Sequence, residues 1–418
     1  MTLSLDNGVA KQSPKFAALR WLPARAFHSI SAYLLSRLTL GLEAGSIMFI
    51  MPDGRELHCR GQREGADAVM RFHSYAGIFR LCFGGYIGLG EGYVAGDWST
   101  PSLRTVFQFG LANQESLEKR LSGKVAVRLL SKVLRIVHSN SMSGSRRNIA
   151  YHYDLGNAFY ERWLDPSMTY SSGIFGTETT LLEEAQAAKY RRIVESLNIE
   201  SHHRILEIGC GWGGFAEFVA RETGASVTAI TVSQEQYDYT VNRIARAGLQ
   251  DQVDIQLKDY RALSGQYDRV VSIEMLEAVG ETYWPGYFRI VNESLTEDGQ
   301  AIIQVITVAD ERFDYYRSES DFVQRHIFPG GMLLSPGEMD RQSQAAGMVV
   351  KDAFFFGSSY GCTLDHWYDR FSGNWSHIET LGFDYRFCRL WSYYLNYTAA
   401  GFHAGTIDVG QFLLTKSR

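Results

Sequence analysis

Cysteine is scarce and scattered. Cys59, Cys82, Cys210, Cys362 and Cys388 are an odd number spread over 418 residues, and none has metal-ligand spacing to another. That argues against a full disulfide framework and against a cysteine-built metal centre, and it suits a reducing cytosol. Long apolar runs are missing too. No stretch reaches 18 consecutive apolar residues, so no membrane-spanning helix is expected. The first residues lack the charged, apolar and cleavage-site order of a secretory leader, which makes the expected protein cytoplasmic and not exported. No recognisable nucleic-acid-binding motif is present, so nucleic acid is the weaker candidate partner.

What is present begins with Arg204-Ile-Leu-Glu-Ile-Gly-Cys-Gly-Trp-Gly-Gly214, a short apolar segment that ends in four glycines within six residues. This predicts a strand feeding a nucleotide-binding turn. Gly209 and Gly211 let backbone approach a ligand that a Cβ would exclude, and Gly213 and Gly214 open a helix and admit close packing on the strand. One further absence separates cofactor classes. A dinucleotide site needs an acid at the end of the second strand, but Ala225–Thr231 runs into Val232-Ser-Gln-Glu-Gln236, whose acid, Glu235, already lies in the next helix. Ser233 and Gln236 have capping-box spacing. Asp259 instead ends the third strand, followed by Tyr260, and a carboxylate there can accept from the exocyclic amine of an adenine. The pattern favours S-adenosylmethionine over NAD.

Composition adds two expectations. Tyr and Phe together number 47, enough to suit a long apolar binding cavity as well as packing. The net charge of −5 divides unevenly, with +9 over residues 1–150 and −14 over the remainder. A basic front half suits an anionic surface such as a membrane.

Along the chain, residues 1–14 read as a polar tail, and Phe27, Ile30, Tyr33, Leu34 and Leu38 recur at helical spacing within 17–42. Short strands are expected at 46–51, 56–60 and 87–94, with Pro52-Asp-Gly54 as a hairpin turn. Residues 1–120 therefore read as a small α+β domain. In 121–150, Lys124, Arg128, Lys132 and Arg135 share one face of a helix and apolar residues the other. Such a helix lies in a headgroup layer or packs on its own protein with a solvated basic face. Ser139–Arg147 reads as a linker. From 151 to 418, seven strands alternate with helical patterns at 204–208, 225–231, 253–258, 267–275, 300–308, 349–356 and 406–415, which predicts a doubly wound α/β sheet. Aromatic-rich insertions at 309–347 and 357–405 follow the fifth and sixth strands, where a lid can form.

Five motifs occur in order: His152-Tyr-Asp-Leu-Gly-Asn-Ala-Phe-Tyr160, Met168-Thr-Tyr-Ser-Ser172, Ile208-Gly-Cys-Gly-Trp-Gly-Gly214, Asp259-Tyr-Arg261 and Ile327-Phe-Pro-Gly-Gly331. With Tyr393-Tyr-Leu-Asn396 they make the chain from about residue 146 onward resemble the cyclopropane fatty acid synthase family. The front resembles that family's lipid-binding domain more loosely, through Gly88-Leu-Gly-Glu-Gly-Tyr93 and Gly96-Asp-Trp98. The resemblance implies a class I methyltransferase sheet with an aromatic-rich helical lid. It also implies transfer of the S-adenosylmethionine methyl to the double bond of an unsaturated phospholipid acyl chain, peripheral association with the inner face of the membrane, and a homodimer. Tyr170 and Ser171 would close over the methionine end of the cofactor, with Gly209, Gly211, Thr231, Gln236, Asp259 and Tyr260 holding the rest.

The family binds a bicarbonate ion as base. Carried over by motif, its ligands become Glu277, Tyr360 and the Ile306 backbone, with Ser172 at the family's cysteine and Gln304 at its histidine. The family's Gly-x-Phe-Glu-His is here Glu274-Met-Leu-Glu277-Ala278, so a second histidine is lost and a carboxylate is gained at Glu274. A weaker bicarbonate site follows, and the product stays open between a ring and a methyl or methylene branch. Tyr170, Tyr360, Phe175 and Trp367 are candidates to face a carbocation. Three rivals remain: a family relative acting in a methylated or furan fatty acid pathway without cyclopropanation, a C-methyltransferase of a soluble small molecule, and a non-catalytic lipid-binding pathway protein.

Overall fold

The computed structural model describes residues 24–121, 155–176 and 180–417. The polar tail at 1–14, the basic stretch at 122–138, the linker at 139–147 and the start of the His152 motif lie outside the described residues. The chain divides into two compact units, one of residues 1–123 with 384–393, the other of 124–383 with 394–418.

In the first unit, α1 (Ala24–Leu38) precedes β1 (Ala44–Ile50), β2 (Glu56–Arg60) and β3 (Arg63–Phe72); then come α2 (Tyr75–Val94), β4 (Trp98–Ser99), α3 (Leu103–Ala112) and α4 (Gln114–Leu121). The sheet order is β2-β1-β3-β4, with β1 and β3 parallel. Pro52-Asp-Gly54 turns β1 into β2, and Gly54 takes the positive φ of 84° that the turn requires. α1 agrees with the helical spacing read within 17–42; Ile30 and Tyr33 lie on its exposed side, while Ser31 and Leu35 are buried. One expectation fails here. Residues 87–94 are not a strand but the second half of α2. Small residues at 88, 90 and 92 imitate strand alternation. Yet Ser74 caps the helix, and a break at Gly85 (φ 59°, ψ −144°) turns the second half back on the first. A Cβ on Gly88 would lie 2.1 Å from the Arg80 carbonyl oxygen, so only glycine permits that contact. Residues 384–393 join this unit through Arg389, whose guanidinium donates to the carbonyls of Tyr93 and Trp98, each at 2.5 Å.

The second unit is built on β5 (Arg204–Ile208), β6 (Ser226–Thr231), β7 (Val253–Leu257), β8 (Tyr267–Ile273), β9 (Leu295–Val308), β10 (Met348–Phe355) and β11 (Ile407–Lys416). Their order is β10-β11-β9-β8-β5-β6-β7. β11 runs antiparallel between β9 and β10, while β7, β6, β5, β8 and β9 are parallel. Both faces of the parallel strands are apolar, because both are covered. Leu206, Val270 and Ile303 pack with α8 (Trp284–Ser294) and α9 (Pro336–Ala345). Their neighbours Ile205, Val271 and Ile302 pack with α5 (Leu182–Ser196), α6 (Gly214–Thr223) and α7 (Gln234–Ala247). The insertions fold as helices, including α10 (Gly357–Gly373) and α11 (Tyr385–His403). After β5 the chain winds outward through β6 and β7, then returns to β8 on the other side. That reversal opens a crevice beyond the carboxyl ends of β5 and β8, where ligands bind in such sheets.

Candidate active site

The crevice holds a cavity whose wall includes the glycine turn. Gly209, Gly211 and Gly213 take φ values of 85°, 53° and 81°, in the left-handed region that favours glycine. Backbone N–H groups of Gly209 and Cys210 both donate to the Ile230 carbonyl, at 3.0 and 2.9 Å, which pins the turn to β6. A Cβ on Gly211 would meet nothing within 4 Å, so that position faces open space. Gly213 and Gly214 do permit close packing, though not on the strand: a Cβ on either would strike Thr240 of α7 or the Tyr190 hydroxyl of α5.

All eight residues assigned to a cofactor line this one cavity: Tyr170, Ser171, Gly209, Gly211, Thr231, Gln236, Asp259 and Tyr260. Thr231 donates to Gln236 Oε1 at 2.9 Å, and Ser233 caps α7 by accepting from the Gln236 N–H. Arg261 orients the Asp259 carboxylate through bonds of 2.8 and 2.7 Å. Glu207, at the end of β5, is 2% exposed, and its Oε2 has no hydrogen-bond partner. Burial pushes its carboxyl up to about 8, against the pull of Lys189. An unpartnered buried acid on the wall suits a cationic ligand group. These features fit S-adenosylmethionine, whose ammonium and sulfonium are cations and whose adenine needs an acceptor.

Lys189 is the residue that pattern reading missed. It is fully buried on α5 and donates to Ser171 Oγ at 2.6 Å. Burial pushes its ammonium down to about 7, opposed by Glu274, Asp165 and Glu207. No motif marks a lysine inside an ordinary helical pattern.

A second cluster stands behind the cavity wall, and Glu274 is its centre. Three groups donate to its carboxylate: the Ser172 N–H at 2.9 Å, Gln304 Nε2 at 2.8 Å and the Tyr360 hydroxyl at 2.5 Å. Burial pushes the Tyr360 phenol far above its ordinary range, so it remains a donor. Gln304 is itself set by its cross-strand neighbour Gln411, which donates to Gln304 Oε1 at 3.0 Å and thereby turns the amide nitrogen toward Glu274. The Ile306 N–H donates instead to Glu277 Oε1 at 2.7 Å, and Glu277 Oε2 is buried without a partner. Among these residues only Glu274 lines the cavity. Burial raises both carboxyls, and the Glu274 charge helps push Glu277 up to about 8. Three donors against one assign the negative charge to Glu274 and the proton to Glu277.

Aromatic rings close the same region. Tyr170 packs 5.2 Å from Trp367, 5.3 Å from Trp163 and 5.6 Å from Tyr160, and shares a hydrogen bond of 3.0 Å with Tyr394. Tyr360 stacks on Phe402 at 4.3 Å and meets Trp367 edge-on. Phe175 stacks on His366 instead, apart from that group.

A model of the mycolic acid cyclopropane synthetase family matches residues 140–412. The tuberculostearic acid methyltransferase UfaA1 of Mycobacterium tuberculosis is 37% identical over 341 residues, 79% of each chain. The cyclopropane-fatty-acyl-phospholipid synthase of Escherichia coli K12 is 35% identical over 332 residues, covering 79% of this chain and 84% of that one. The crystal structure of mycolic acid cyclopropane synthase CmaA1 complexed with SAH and CTAB superposes with a TM-score of 0.61 at 27% identity, over 65% of this chain and 98% of that chain.

Proposed function

The chain belongs to the mycolic acid cyclopropane synthetase family and is an S-adenosylmethionine-dependent methyltransferase of unsaturated fatty acyl chains; from that premise we propose that it alkylates the double bond of an acyl chain carried by a phospholipid, at the inner face of the membrane. The observation that carries this reading is the joining of two functions in one cavity. Its lining includes the glycine turn, Glu207 and Asp259 together with Glu274, the residue at the centre of the second cluster.

Bound there, S-adenosylmethionine supplies an electrophilic methyl: the alkene π pair forms the new C–C bond, the S–C pair leaves with sulfur, and the chain becomes a carbocation that must shed a proton. Alkenes are weak nucleophiles, so the residues act chiefly by positioning. Tyr170 and Ser171, the latter held by Lys189, form the wall over the reacting end. Of the candidate rings Tyr170 lines the cavity, and its face would stabilise a cation by about 0.5–2 kcal/mol and help keep water from capturing it.

Which C–H bond lies nearest the base decides the product. Loss of a proton from the transferred methyl closes a three-membered ring; loss from an adjacent chain carbon leaves a methyl-branched alkene, and a hydride shift followed by loss from the methyl leaves a methylene branch. The uncharged Gln304 and Ala278 remove charged donors from the anion position, which supports a branch as the second reading, with a different proton leaving the cation. The test is incubation with oleoyl or vaccenoyl phospholipid vesicles and S-adenosylmethionine, followed by mass spectrometry and proton NMR of the released acids. A mass gain of one methylene with a high-field ring signal supports cyclopropanation, and a branched methyl or methylene signal supports the second reading. An unchanged acyl pool refutes both.

A further inference from the structure

We propose that Glu274 is the proton acceptor of this reaction, its carboxylate standing where a separate anion would otherwise bind, so that the enzyme carries its base on its own chain. The proposal rests on the alkylation reading above and deepens it.

The geometry is that of an anion site already filled. Ser172 N–H, Gln304 Nε2 and Tyr360 OH are three of the donors that the family resemblance assigns to bicarbonate, and all three point at the Glu274 oxygens. The fourth, the Ile306 N–H, is taken by Glu277. With those four donors engaged and the Glu274 charge beside them, a further anion would meet repulsion.

The backbone points the same way. Glu274 has φ 50°, in the left-handed region, at the position where the family motif has glycine. A side chain with a Cβ costs about 1–2 kcal/mol there. Such strain is kept where surrounding bonds hold the residue to a task. Here three donors hold the carboxylate of a residue that lines the cofactor cavity.

The donors are all neutral. They orient the carboxylate, and burial raises it above its ordinary range against these bonds and the nearby Lys189 charge, so basicity is kept. When the alkylated chain loses its proton, one Glu274 oxygen forms the new O–H bond. The C–H electron pair stays with the chain, closing a ring or forming a double bond. Gln411, behind Gln304, acts as a positioning residue by fixing which amide atom faces Glu274.

The test uses the full chain, its Glu274→Gln variant, and Glu274→Gly, which restores the residue that the left-handed backbone favours and vacates the carboxylate's space. Methyl transfer to unsaturated phospholipid vesicles is measured in carbon dioxide-free buffer and with added bicarbonate, alongside S-adenosylmethionine affinity and the line width of [13C]bicarbonate. The expected wild-type turnover is indifferent to bicarbonate, with no saturable broadening. Both variants should lose about 10²–10⁴-fold in turnover while keeping cofactor affinity. Glu274→Gly alone should recover turnover with bicarbonate and broaden its line. A wild type that needs or saturably binds bicarbonate, or a Glu274→Gly variant at full rate without it, overturns the proposal. If the wild type methylates no unsaturated chain, the alkylation reading fails instead, and the bicarbonate titration still decides whether Glu274 fills the anion position.

Discussion

Burial makes the carboxyl pair Glu274 and Glu277 a source of pH dependence. Glu277 is raised from 4.5 to about 8, so the folded state holds this proton more tightly than the unfolded chain. Its contribution to stability is complete below about 4.5 and is lost as pH rises through about 8. Glu277→Gln cannot ionise; it should gain stability relative to wild type over that window in urea unfolding. Parallel curves would show that Glu277 does not titrate as assigned. Glu207 is likewise raised to about 8. A cationic ligand beside it favours its ionised form, so S-adenosylmethionine should release a proton on binding near neutral pH. Calorimetry in buffers of different ionisation enthalpy would register that proton, and Glu207→Gln should abolish it. At this scale the sequence was partly legible. The family resemblance pointed to Ser172, Gln304, Tyr360, Ile306 and Glu277, while Glu274 stood out in the sequence only as an added charge. Its three donors come from the loop at 172, from β9 and from α10, and no sequence separation encodes their meeting. Lys189 and Gln411 were invisible for the same reason.

Elements with strong local chemistry were read well. The strand and glycine turn at 204–214 follow from apolar residues and four glycines, and their conformations match the backbone that such a turn demands. Gly209→Ala tests the turn: a Cβ there would lie 2.7 Å from Met275 Cγ and would sit at a φ of 85°. We expect a folded protein, destabilised by about 1–2 kcal/mol, whose thermal midpoint no longer rises with S-adenosylmethionine. Undiminished ligand stabilisation would mean that the cofactor does not approach this backbone. Element type failed where small residues imitate another period. Glycines at 88, 90 and 92 alternate like a strand, while the chain is a helix folded back at Gly85. Gly88→Val should lower the stability of the first unit, because Arg80 backbone leaves no room. It should leave S-adenosylmethionine affinity unchanged, and an equal loss of affinity would contradict the independence of the cofactor cavity.

Across the whole molecule, the doubly wound sheet was legible because seven apolar strands alternate with amphipathic helices. Its reversal between β5 and β8 then places the cavity. The division of the chain was less so. Residues 384–393 belong to the first unit through Arg389, and a contiguous reading of the chain does not express such a return. No helix among the described residues is long and apolar enough to cross a membrane. The proposed contact with lipid rests on the +9 charge of residues 1–150. Flotation with anionic vesicles should recover the protein at low salt and lose it at high salt; equal recovery with neutral vesicles would count against charge as the attraction. The most direct measurement of the central claim is the fate of a labelled methyl group. Protein, methyl-labelled S-adenosylmethionine and either monounsaturated or fully saturated phospholipid vesicles are incubated, and the acyl chains are isolated. Label confined to the unsaturated chains is the predicted result. Label in neither, or equally in both, would contradict it.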